Sequence, residues 1–192
     1  MSYPASRTEP SKRDLWRTPP FVTWWSARRW GPFGIDMAAT AESRICEKYL
    51  GPESTHPDAL AIDWADVAAN LEKLGDPLHA WINPPYSRID DWLRRAVRAQ
   101  HAGLSSTLLI PAMPGERRFA SISGIATEIV FIVGRLAFLD EYGTPISGNV
   151  SGSCLVHLRA YDEGSPRVVW VRRENMQAEH IQWERGEEVG HA

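Results

Sequence analysis

Only two cysteines occur in the sequence, Cys46 and Cys154, and they stand too far apart to form the closely spaced ligand pairs of a zinc site. They read as buried thiols of a reducing compartment rather than as a disulfide. The six histidines are scattered, so no metal is expected. No apolar run approaches the roughly 18 residues that a membrane span requires. The opening MSYPASRTEPSKRD lacks the apolar core of a secretory leader. Both absences point to a soluble, cytoplasmic protein. Positive charge is not in excess either, for the formal net charge is -3. That excludes a blanket coating of nucleic acid, so any such contact must use a local basic patch. No internal repeat divides the 192 residues, which suffice for one full domain and are short for two.

What the chain does have is an alternation of helix and strand patterns between two polar ends. Residues 1–16 are expected to be a disordered tail, 17–175 the domain, and 176–192, rich in Glu, Gln and His, a solvated tail or frayed helix. Pro19 and Pro20 suit a first helical turn, with Phe21–Trp30 as the helix and Gly31-Pro32 as its end. Phe33–Met37 reads as a strand, Thr40–Tyr49 as a helix, Asp63–Leu74 as a helix and Leu78–Ile82 as a strand. Ile89, Trp92, Leu93, Ala96 and Val97 then recur at the spacing of one helix face. Ser87 is placed to cap that helix, and Asp90 and Asp91 precede Arg94 and Arg95 in the favourable order for ion pairs. Ser105–Ile110 reads as a strand, Glu116–Ser121 as a short helix and Thr127–Val133 as a strand. Arg135–Leu139, Cys154–Leu158 and Val168–Val171 follow as further strands. The order predicts an α/β fold: a mostly parallel sheet with helices on its faces and antiparallel strands at one edge.

The chemistry concentrates in WINPPYSRIDDW, residues 81–92. In an open α/β sheet ligands bind beyond the carboxyl ends of the strands, and Asn83 falls at such an end. Each of Pro84 and Pro85 fixes its own φ and keeps the residue before it extended. The Asn83 side-chain oxygen and the Pro84 carbonyl thus form a rigid pair of acceptors, with Tyr86 as an aromatic wall. Two acceptors match the two N–H donors of a planar amino group and draw its nitrogen toward tetrahedral geometry, freeing the lone pair for attack. Tyr86 stacking on the ring adds about 1–3 kcal/mol. No strong base is needed, since an alkylated nitrogen sheds its proton readily; alignment and charge-matched acceptors supply the catalysis. The plainer alternative is a Pro-rich turn that merely starts a capped helix.

Asn83-Pro84-Pro85-Tyr86 resembles the signature of S-adenosylmethionine-dependent amino methyltransferases. Thr18-Pro19-Pro20, Gly34-Ile35-Asp36-Met37-Ala38-Ala39, Asp63-Trp64, Leu109-Ile110-Pro111-Ala112 and Gly134-Arg135-Leu136-Ala137-Phe138 occur in order around it. Together, over Arg17 to Leu158, they resemble the bacteriophage-type DNA N6-adenine methyltransferase family. The resemblance implies a reduced Rossmann-like methyltransferase fold, DNA as the partner, S-adenosyl-L-methionine as the cofactor and a phage or prophage gene acting in a host cytoplasm. It implies cofactor contacts by Thr18, Pro19, Asp36, Asp63 and Trp64. Asn83, Pro84, Pro85 and Tyr86 would hold an adenine extruded from its duplex. Carboxylates at strand ends also match the cofactor's cationic and hydroxyl groups, although an Asp before a helix is often only a cap. The Gly-rich loop that many methyltransferases carry after their first strand is missing from GIDMAATAES, so Asp36 stands either for the first-strand acid or for the ribose-binding acid.

Arg88, Arg117, Arg118 and Arg135 are candidate phosphate contacts, the better placed being Arg88, directly after the target pocket, and Arg117 and Arg118, after a loop at another strand end. Arg94, Arg95 and Arg98 read rather as a solvated helix face, and Trp24 and Trp25 as apolar packing. Two rival functions remain open on the residues alone. One keeps the chemistry on another planar amine (cytosine N4, an RNA base or a protein glutamine). The other is a non-catalytic binding descendant.

Overall fold

The structure, a computed structural model, describes residues 16–146, 151–162 and 164–190, with the side chains of residues 118 and 123 outside that set. The expected N-terminal tail lies almost wholly outside the described residues.

Helix α1 is Pro20–Trp30, begun by Pro19 and Pro20 and ended by Gly31 at φ +99°. After it come β1 (Ile35–Asp36), α2 (Trp64–Leu74), β2 (His79–Ile82) and, beyond a single 3-10 turn over Tyr86–Arg88, α3 (Ile89–His101). The remaining elements are β3 (Ser105–Pro111), α4 (Arg117–Ser123), β4 (Glu128–Val133), β5 (Ser153–Leu158), β6 (Arg167–Arg172) and α5 (Arg173–Glu184). No helix among the described residues is long and apolar enough to cross a membrane.

One six-stranded sheet takes the order β1-β2-β3-β5-β4-β6. Strands β1, β2, β3, β4 and β6 run one way, and β5 runs against both of its neighbours. The mostly parallel sheet with antiparallel pairs is therefore present. The antiparallel strand lies inside it, between β3 and β4, and the edge on that side is the parallel β6. All six residues of β5 are buried, in keeping with its place inside the sheet.

Alternation along the strands divides the core in two. Ala80, Ile82, Leu108, Ile110 and Val156 meet Trp64 and Leu71 of α2, Leu93 of α3 and Ile122 of α4 on one face. Trp81, Leu109, Val130 and Leu155 meet Val22 and Trp25 of α1 and Met176 of α5 on the other.

Four expectations need correction. The predicted helix over Thr40–Tyr49 is a chain of turns and bends that doubles back along the free edge of β1. There Asp36 donates its N–H to Lys48 at 2.9 Å and Leu50 donates to Asp36 at 2.8 Å. Edge pairing and the Thr40–Ser43 side-chain bonds consume the backbone groups that a helix would use. The predicted strand over Arg135–Leu139 joins no sheet. Leu136 and Phe138 alternate inward at 1% and 2% exposure, but Leu139 pairs with Arg17 instead, through two bonds of 2.9 Å. Ser87 falls inside the 3-10 turn, and Arg88 takes the N-cap position of α3. Finally, the stretch from Met176 is helical to Glu184. It buries Met176 completely and packs the Trp24 ring against His180 and Trp183.

Candidate active site

Strands β1 and β2 are parallel neighbours, with Asp36 opposite Trp81. Their carboxyl ends open on one cleft of about 470 Å³, to which Asp36 and Asn83 both contribute. A third wall comes from Trp16–Thr18, held down by the Arg17–Leu139 pair, and a fourth from the folded-back segment that includes Glu42 and Ile45.

Asp36 is 3% exposed. One carboxylate oxygen accepts from the Ala38 N–H at 3.2 Å and the other from the Ile45 N–H at 3.2 Å. Burial pushes its pKa up to about 7, and the two N–H donors only partly oppose the shift. Among the described residues the cleft is acidic: Asp36, Glu42, Asp58 and Glu141 face Arg17 and Arg88. Trp81 and Trp92 supply apolar wall beside them.

Asn83 donates its side-chain N–H to the Trp16 carbonyl at 3.2 Å. That bond orients the amide and leaves Oδ1 as an acceptor. Pro85 lines the cleft and Pro84 is buried behind it. Tyr86 is half-buried against the first core, and burial of its hydroxyl raises its pKa above the ordinary 10.0, so the phenol is neutral.

The other expected site residues divide. Thr18 lines the cleft, while Pro19 is buried beside it at the start of α1. Asp63 and Trp64 are not brought to the cleft. Asp63 is exposed and caps α2, accepting from the Ala65 N–H at 3.1 Å. Trp64 is 1% exposed and donates its indole N–H to the Ala59 carbonyl at 2.8 Å, so it supports the cleft wall from behind. Arg88 stands at the cleft mouth, bonded to Asp91 at 3.3 Å. Arg117 is exposed on α4 in an adjoining groove. The Arg118 side chain lies outside the described set. Arg135 is exposed beyond β4, away from the cleft lining, and its carbonyl accepts from Arg173 at 2.7 Å.

Trp16, Glu42, Asp58, Trp92 and Glu141 line the cleft without having been expected there. Trp92 carried a signal, but one indistinguishable from core, since it sits on the apolar face of α3. The others come from irregular segments whose approach only the fold creates.

The match to known proteins is extensive. Residues 5–182 fit the model of the family described as DNA N-6-adenine-methyltransferase (Dam). A DNA N-6-adenine-methyltransferase of Escherichia phage T1 is 30% identical over 178 residues, an alignment that covers 84% of this chain and 69% of that protein. With the α/β sheet and the strand-end cleft inside that span, the chain belongs to the DNA N-6-adenine-methyltransferase family, enzymes that methylate adenine in DNA.

Proposed function

We propose that this enzyme transfers the methyl group of S-adenosylmethionine to the N6 amino group of an adenine turned out of the DNA duplex and held by Asn83, Pro84, Pro85 and Tyr86. The observation that carries the reading is the shared cleft: an oriented amide oxygen at the end of β2 and a buried carboxylate at the end of the neighbouring β1.

The residues present fit the cofactor. Its sulfonium and ammonium are cations, its ribose hydroxyls are donors, and its adenine is a flat apolar surface. The cleft offers carboxylates in excess and tryptophan walls, at a volume within the range of small-molecule sites. Asp36 and Thr18 are the nearest groups for the cofactor's polar parts. When bound, S-adenosylmethionine supplies an electrophilic methyl carbon on a positively charged sulfur.

Asn83 Oδ1 accepts one N–H of the target amino group, and the Pro84 carbonyl accepts the other. Tyr86, next in the chain to Pro85 but outside the cleft lining, flanks the base ring once the base is seated. Methyl transfer would place positive charge on the adenine nitrogen, and the Asn83 and Pro84 acceptors would strengthen in step with it. The nitrogen then loses its proton to water. Trp64 acts behind the cleft, through the position of Ala59, and Asp63 through the cap of α2, rather than on the cofactor itself.

The test is nucleoside mass spectrometry of DNA from a host without adenine methylation, comparing wild type with Asn83→Ala at equal soluble levels. N6-methyladenine is expected with wild type and a fall on the order of 10² or more in the variant. N4-methylcytosine as the product, or methylation indifferent to Asn83→Ala, would overturn the reading.

A further inference from the structure

A groove of about 800 Å³ runs between α3 and α4, sharing Arg88 and Leu60 with the cleft. Among the described residues Arg88, Arg94, Arg95, Arg98 and Arg117 line it, against Asp90 and Asp91. Asp91 is itself engaged by Arg88 and Arg94. Arg95 is committed elsewhere, donating to the Leu60 carbonyl at 2.7 Å. Arg94, Arg98 and Arg117 are exposed.

The sequence alone makes the α3 arginines a solvated helix face. Such a face has no opposite wall, whereas here α4 supplies one, with Arg117 and Ser121, above a floor that includes Leu93 and Val97. Positive charge on both sides of a groove with apolar walls focuses the field within it. Arg94 and Arg98 are one helical turn apart, about 6 Å along the axis, which presents guanidinium groups in a row suited to a repeating anion.

We propose that this groove carries the phosphodiester backbone of the strand bearing the target adenine, with Arg94, Arg98 and Arg117 as phosphate contacts and Arg88 as the link to the base site. Two features select this occupant: charge complementarity to a polyanion and a border shared with the cleft at Arg88 and Leu60. The assignment rests on the reading of that cleft as the target-base site. Arg95 is a tether between α3 and the turn at Leu60, not a phosphate contact.

The experiment measures duplex binding by the full chain with fluorescence anisotropy, between roughly 50 and 200 mM salt. It compares wild type with Arg98→Ala, Arg117→Ala, their double variant and Arg95→Ala. Each of the first two is expected to reduce the slope of log K against log salt by about 0.9, and the double by about twice that. S-adenosylmethionine affinity stays at the wild-type value in all three. Arg95→Ala is expected to lower the melting temperature and keep the slope. A double variant with wild-type slope overturns the groove, as does a slope change confined to Arg95→Ala. Wild type that binds DNA through these arginines but makes no N6-methyladenine leaves the groove standing and removes the catalytic reading.

Discussion

A carboxylate as buried as that of Asp36, with one backbone N–H on each oxygen, sits near the balance between its two protonation states at neutral pH. A cationic ligand in the same cleft favours the ionised state, so its binding must expel a proton wherever Asp36 is protonated beforehand. With the free carboxyl titrating at about 7, affinity for S-adenosylmethionine is expected to rise about tenfold from pH 6 to pH 8. Calorimetry in two buffers of different ionisation enthalpy reads the proton directly. Asp36→Asn removes the carboxyl's part of the profile and separates it from the titration of the ligand's own amine. A profile unchanged by that substitution would assign the proton elsewhere. The position of Asn83 at the end of β2 was legible, because the apolar run stops there and two prolines follow. Asp63 was not: a carboxylate that binds a ligand and one that caps a helix look alike until the Ala65 N–H is seen to take it.

Strand β1 has only two residues, yet it delivers Asp36, and its entry depends on an unusually close approach. A Cβ on Gly34 would lie 2.1 Å from the Pro77 carbonyl oxygen, backbone that has nowhere to move while the Gly34 N–H donates to His79 at 2.8 Å. Gly34→Ala is expected to cost roughly 1–3 kcal/mol, several degrees in melting temperature, and to weaken cofactor binding by displacing Asp36. Thermal denaturation and the cofactor titration read both; a variant that melts and binds as wild type would show that the approach relaxes freely. Elements with a strong period were legible: α1, α2 and strands β2 to β6 to within a residue or two, and α3 as a helix with its apolar face. Thr40–Tyr49 was not, because helix-forming residues there are overruled by hydrogen bonds to β1 and to the Asp36 carboxylate, which are remote in pattern though near in sequence. Arg135–Leu139 kept its inward alternation but spent it on pinning the Trp16–Thr18 wall of the cleft rather than on the sheet.

Across the whole molecule, the sheet is held on its α1 face by a buried polar line that joins three strands. His79 of β2 and His157 of β5 both meet the Thr107 hydroxyl of β3, at 2.8 and 3.1 Å, with Phe33 packed on one imidazole and Trp30 stacked on the other. Burial lowers the His79 pKa to about 4, against the pull of the Gly31 and Pro32 carbonyls. It lowers His157 to about 3, with His79 and Arg159 acting the same way and Glu128 and Asp162 opposing. Unfolded, both imidazoles take protons near 6.5, so the unfolded chain binds more protons below that pH and stability falls as pH drops toward 4. Asp36 works in the opposite sense. Its folded pKa of about 7 exceeds the unfolded 3.8, so it adds stability as pH falls from 7. Glu128, lowered by the Arg29 guanidinium at 2.7 Å and the Trp30 N–H, loses its contribution only below the ordinary 4.5. Between pH 7 and pH 5, then, two histidines act against one carboxyl. Counting 1.36 kcal/mol per pH unit per group, the wild type is expected to lose about 1–2 kcal/mol over that interval, and Asp36→Asn, without the offsetting carboxyl, about 4 kcal/mol. Urea unfolding at the two pH values measures both differences. Stability that rises on acidification, or equal losses in the two proteins, would mean that the imidazoles and Asp36 do not set the acid response of this fold.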